Sequence, residues 1–150
     1  MDVTEVLSGV ALGDASLLHN GYSTEQILGS GSSVPCTKVA PFLATLIAGA
    51  LTIDLTALVG TNGAAVDLTG LKIQAIKFRA PTTNSAVINI APGVANDYDL
   101  LGASFSIDLL PGQEVMAFLN EAAPDVATAD AEIDLAGTGT DALEVILVAG

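Results

Sequence analysis

The sequence is short of almost every residue that active-site chemistry uses. Among its 150 residues there is one cysteine, Cys36, and one histidine, His19. A single cysteine cannot close a disulfide within the chain, so stability has to come from packing or assembly. One Cys and one His cannot build a zinc site from soft ligands. A Ser-His-Asp triad would have to recruit His19, and no Gly-x-Ser-x-Gly elbow is present. There is no Gly-x-x-x-x-Gly-Lys-Ser/Thr phosphate loop, and no dinucleotide fingerprint follows a strand and opens a helix. These absences point away from an enzyme and away from a cofactor or a bound metal.

Positive charge is equally scarce. Four Lys and Arg face 17 Asp and Glu, a net charge of −13. Nucleic-acid affinity comes from Lys and Arg replacing counter-ions on phosphates, so a chain this acidic is repelled by nucleic acid. It also lacks a polybasic patch for an anionic membrane. There is no Trp, and there are only two Tyr and four Phe. Sugar-binding modules grip their ligands with exposed aromatic platforms. Here only Tyr22 and Tyr98 are available, with Phe78 and Phe105 at core parity, which weakens that reading. The one long apolar run is Val39 to Gly60. It contains Pro41, Gly49 and Asp54, and from Leu51 it alternates apolar with polar, the period of a half-buried strand and not of a membrane-spanning helix. The start, Met1-Asp2-Val3-Thr4-Glu5, is acidic where a signal peptide would be basic.

What is present is apolar and small. Hydrophobic residues make up 51% and charged residues 14%, too apolar for a disordered chain. The length favours one domain, able to bury roughly two-thirds of its unfolded surface. Residues 1–40 are irregular, with Gly9, Gly13, Gly21 and Gly29-Ser30-Gly31-Ser32-Ser33 between scattered apolar pieces. Ser23-Thr24-Glu25-Gln26 could cap one helical turn. This reads as an N-terminal arm without a core of its own. Its candidate contact residues are Val6, Leu7, Leu17, Leu18, His19 and Tyr22.

Residues 41–150 read as short strands separated by turn chemistry. Strands are expected at Leu43 to Ile47, Ala50 to Thr56, Leu71 to Arg79, Ala86 to Ile90, Ala103 to Leu109, Glu114 to Leu119, Asp130 to Leu135 and Ala142 to Val148. Ala48-Gly49, Asn62-Gly63, Pro92-Gly93 and Pro111-Gly112 are turn dipeptides. About eight strands at this spacing predict an all-β, antiparallel β-sandwich, jelly-roll-like, with an extended N-terminal arm.

One strand breaks its own period. Leu71 and Ile73 share a face, whereas Ile76 and Phe78 have the opposite parity, so a β-bulge near Gln74-Ala75 is predicted. The polar face then reads Lys72, Gln74, Lys77 and Arg79, with three of the four cations of the chain. Lys72, Lys77 and Arg79 are either an ordinary solvated face or a contact for an acidic face of another subunit. The alternation of Asp130, Glu132 and Asp134 with apolar residues reads as a solvated strand face. Partner contact and cation binding are the lesser alternatives there.

Thr45-Leu46-Ile47-Ala48-Gly49-Ala50-Leu51-Thr52-Ile53-Asp54-Leu55 resembles the opening of small β-sandwich virion proteins of tailed bacteriophages. So do Leu71 to Arg79 with its Thr/Asn turn, Leu110-Pro111-Gly112-Gln113-Glu114-Val115, and the hydrophobic stretch Leu143 to Gly150. The resemblance covers about residues 43–150 and rests on strand pattern and turn placement; the arm is not matched. It implies a decoration, or cement, protein, made in the host cytoplasm and carried on the outer capsid surface of the virion. Its partners would be the major capsid protein and other copies of itself in a homotrimer. A phage tail or fibre component, and a surface carbohydrate-binding or adhesin-like module, are the alternatives.

Overall fold

A computed structural model describes residues 3–6, 16–19, 35–60, 62–119 and 121–150, the first two ranges by their backbone pairing. These residues are all-β and antiparallel, with no helix. In the arm, β1 (Val3–Val6) and β2 (Ser16–His19) pair as a two-stranded ribbon. They carry Val6, Leu17, Leu18 and His19, whereas Leu7, Tyr22 and the Ser23–Gln26 cap lie outside the described residues.

Ten strands follow. They are β3 (Lys38–Thr45), β4 (Ala50–Asp54), β5 (Leu58–Val59), β6 (Ala65–Val66), β7 (Ile73–Arg79), β8 (Ile88–Pro92), β9 (Ile107–Leu109), β10 (Glu114–Phe118), β11 (Glu132–Ala136) and β12 (Ala142–Ala149). Eight were expected. The two extra strands, β5 and β6, form a small ribbon around Asn62-Gly63, where Gly63 takes a φ of 76°. The other eight make two four-stranded sheets, ordered β10-β7-β12-β3 and β4-β11-β8-β9.

The chain passes from one sheet to the other through Ala48-Gly49. Both residues have positive φ, 53° and 88°. This is the two-residue geometry whose twist matches the flanking strands. Ile47 and Ala50 exchange backbone hydrogen bonds across it, at 2.9 and 3.2 Å. The Val39 to Gly60 run is therefore two strands, a tight turn and the start of a ribbon. Among the described residues no helix is long and apolar enough to cross a membrane.

Alternate residues of both sheets point into one apolar cluster. The first sheet contributes Ala40, Ala44, Ile73, Ile76, Phe78, Leu143, Val145 and Leu147, and the second Ile53, Ile88, Ile90, Leu109, Ile133 and Leu135. Phe78 is fully buried, and Phe105 is half-buried against the same cluster. The bulge falls where the broken period placed it. Val148 pairs with Ala75 and Ala149 with Ile73, so Gln74 is the extra residue, and Ile73, Ile76 and Phe78 all face inward.

Three expectations need correction. β3 begins at Lys38, five residues before the expected Leu43. β9 keeps only the last three residues of a seven-residue alternation, and Ala103 is exposed. Its ladder with β8 ends at Ile90 opposite Ile107, two residues short of Pro92, which has no N–H to donate. Gln74 is not on a solvated polar face. It is fully buried and donates from Nε2 to Glu121 Oε1 at 3.1 Å and to the Gly150 carbonyl at 3.3 Å.

Candidate interface on one sheet face

The register of the first sheet fixes which residues stand on its outer face. One row runs Glu114, Arg79, Glu144, Leu43 across β10, β7, β12 and β3. The next is Met116, Lys77, Ile146, Pro41, and the third is Phe118, Ala75, Val148, Val39. Large apolar side chains dominate. Met116 is 64% exposed, Leu43 60%, Val39 54%, Phe118 45% and Ile146 39%. Five of the eleven exposed large hydrophobics among the described residues thus share this one face. Single exposed apolar residues need no explanation, but a contiguous group of them does.

The structure brings Lys77 and Arg79 together on this face, and both are engaged within the chain. Arg79 reaches the Glu144 carboxylate at 3.0 Å and Lys77 the Glu114 carboxylate at 3.0 Å. Half-exposed pairs of this kind contribute at most about 1 kcal/mol each. Their larger effect is neutrality: two cations and two carboxylates leave the face without net charge. Lys72 is elsewhere. It precedes β7, forms an isolated bridge with Asp125, and its ammonium sits 3.9 Å from Asp125 and 4.0 Å from Glu121. The expected three-residue basic face is therefore a neutralised pair on an apolar ground, with the third cation beyond the bulge.

The second sheet is the opposite in character. Its outer face carries Asp54, Glu132, Asp134 and Asp108, and all four Lys and Arg residues of the chain lie off it. Asp134 accepts from the Thr52 hydroxyl at 2.6 Å and the Val94 amide at 3.1 Å, and Glu132 from the Asn96 side chain at 3.0 Å. Among the described residues no group of three His, Cys, Asp or Glu side chains is placed to hold a metal ion.

Two other features have chemical character. An open cleft of about 600 Å³ lies between Lys72, Asp99, Leu101, Leu119 and Glu121, and one buried carboxylate oxygen of Asp99 has no hydrogen-bond partner among the described residues. Its described lining holds no hydroxyl, thiol or imidazole. Tyr98 is fully buried; its hydroxyl donates to the Pro124 carbonyl at 2.8 Å and accepts from the Ile73 amide at 3.3 Å. Burial pushes its phenol up to about 12. It cannot serve as an exposed aromatic platform. Burial also raises the Cys36 thiol, which disfavours the reactive thiolate.

The apolar outer face was not legible in the sequence, because its residues sit on four strands far apart in the chain. The only local signal was the apolar residues at both parities in Lys38–Thr45 and Ala142–Ala149. The chain matches no protein-family model and no curated protein.

Proposed function

We propose that the protein is a structural virion component: a β-sandwich that binds the outer surface of a capsid and stabilises it by bridging capsomers, without catalysing a reaction. The observation that carries this reading is the contrast between its two outer faces, one apolar and neutral, the other acidic. A molecule built this way has a side to be covered and a side to be solvated. That is the arrangement of a protein lying on a larger protein surface, with the acidic face turned to water.

The strand order supports a jelly roll. With the two short ribbons set aside, the first strand of the remaining eight pairs with the last, the second with the seventh, and the third lies between the last and the sixth. Two nested keys of this kind characterise the double-sheet jelly roll, a fold used in viral capsid and lectin domains. Fold does not by itself decide between them; burial of Tyr98 counts against the sugar-binding alternative.

Stabilisation would follow mass action, since a protein that binds only the assembled shell adds its binding free energy to that shell. Many copies turn a modest contact into a large effect. The test is to strip the protein from particles, measure the temperature at which shells rupture, and add it back. The expected result is rebinding with a restored, higher rupture temperature. An unchanged rupture temperature at full occupancy would overturn the bridging role.

A further inference from the structure

We propose that Asn62 is a self-modification site, whose side-chain amide converts to isoaspartate and aspartate by closing on the Gly63 backbone nitrogen, with water as the only co-reactant. Asn62 and Gly63 lie at the tip of the β5-β6 ribbon, and both are exposed. This chemistry does not depend on the virion role.

The Asn62 side chain is already folded over the peptide that would attack it. Its Oδ1 accepts the Ala64 N–H, two residues on, at 3.0 Å. Such a turn wraps the side-chain carbonyl around the intervening Gly63 peptide. Attack of the Gly63 nitrogen on Asn62 Cγ drives negative charge onto Oδ1, and the Ala64 N–H stands where that charge develops. Gly63 has no side chain to obstruct the approach and takes a φ of 76°, with open space where a Cβ would be. One bond opposes the reaction: the Gly63 N–H donates to the Gly60 carbonyl at 2.9 Å. The ribbon that holds it has only two ladder pairs, Leu58 with Val66 and Val59 with Ala65. Short, exposed pairing of this kind opens locally at little cost.

The other described asparagines are held shut. Asn84 is buried with its amide bonded to both backbone groups of Ala142, and the Ser85 N–H that would attack it is committed to Asp141 at 2.8 Å. Asn89 donates to Ser106 and Asp108 and is followed by the branched Ile90. Asn96 donates to Glu132 and is followed by Asp97. Asn20-Gly21, the other Asn-Gly pair of the chain, lies outside the described residues. In the reaction the Gly63 nitrogen bonds to Cγ and gives its proton to water. The bond from Cγ to Nδ2 breaks, and the nitrogen takes up a proton and leaves as ammonia. One water then opens the five-membered imide. Opening at Cγ leaves an aspartate; opening at the Asn62 main-chain carbonyl carbon leaves an isoaspartate, with one extra carbon in the backbone. Nothing is oxidised or reduced. Each event adds one carboxylate to a chain already at −13 and lengthens the ribbon tip irreversibly.

The experiment is incubation of the full folded chain in mildly alkaline buffer, with peptide mapping by tandem mass spectrometry and enzymatic methylation to count isoaspartate. Conversion at Asn62 is expected to run at least about tenfold faster than at Asn84, Asn89 or Asn96. Gly63→Ala should slow it at least about tenfold, because a side chain both obstructs the attack and disfavours the positive φ. Ala64→Pro, which removes the N–H from Oδ1, should slow it severalfold. In urea the protection of Asn84 is lost, and its conversion should rise at least about tenfold. An intact Asn62 after Asn20 has converted would overturn the proposal, as would a Gly63→Ala variant that converts as fast as the unaltered chain. An Ala64→Pro variant with an unchanged rate would refute the part given to the Ala64 N–H. An Asn84 equally inert in urea would show that the contrast between sites owes nothing to the fold.

Discussion

Asn84 holds β12 from outside any sheet. Its side-chain amide donates to the Ala142 carbonyl at 2.8 Å while its oxygen accepts from the Ala142 N–H at 2.9 Å, which imitates the pairing of a neighbouring strand. Asn84→Ala leaves both groups of Ala142 without a partner and should cost about 2 kcal/mol. At this chain length that is a fall of about 4–8 °C in melting temperature, measurable by calorimetry. One residue earlier, the Asp141 carboxylate accepts from the Ser85 amide at 2.8 Å, the Ser85 hydroxyl, and the Ala86 amide at 3.0 Å. The Ser85 amide bond is the main cause that holds its pKa below the ordinary 3.8. A carboxylate depressed in the folded state adds stability that is present above its unfolded pKa and lost as pH falls through the folded one. Asp141→Asn should therefore lower stability at neutral pH and flatten the loss of stability below about pH 4. Urea titrations at pH 7 and pH 3 would reveal it, and equal destabilisation at both would refute it. Neither clamp was legible in the sequence. Pro81-Thr82-Thr83-Asn84 reads as a turn, and nothing local says that its last residue reaches 58 positions ahead.

Elements were more legible, where the signal was local. The parity break between Ile73 and Ile76 located the bulge at Gln74, and turn dipeptides located the turns at Ala48-Gly49, where both residues take positive φ, and Pro111-Gly112, where Gly112 does. Boundaries failed where a distant partner decides them. β3 starts at Lys38 because β12 pairs with it down to Ala149, although Pro41 argues against a strand there. Pro41 is tolerated because β3 is an edge among the described residues, with β12 as its one partner there. Another close approach yields an element-scale prediction. A Cβ built at Gly93 would lie 2.5 Å from Glu132 Cβ and 3.0 Å from its carbonyl oxygen, while the Gly93 N–H donates to that same carbonyl at 2.9 Å. Gly93→Ala must push β11 away and should cost about 1–3 kcal/mol. Denaturant midpoints would show the loss, and an unchanged midpoint would mean that the loop yields freely.

For the whole molecule, charge dominates. The net −13 and an outer face with four carboxylates and no cation make the folded state repel itself. Raising salt from about 0.01 M to about 1 M shortens the screening length from about 30 Å to about 3 Å. The melting temperature should rise over that range by several degrees. A fall would show that the few ion pairs outweigh the self-repulsion.

The placement of β12 carries a consequence in time. It lies between β3 and β7, and it is the last strand of either sheet to be synthesised. At about 5–20 residues per second, roughly 3 to 13 s separate the emergence of Arg79 from that of Ala142. Throughout that interval β3 and β7 have no strand to join them, and the first sheet is two disconnected pieces. The closing strand acts as a keystone: the nascent chain waits open, and the two-faced surface comes into being in one late step.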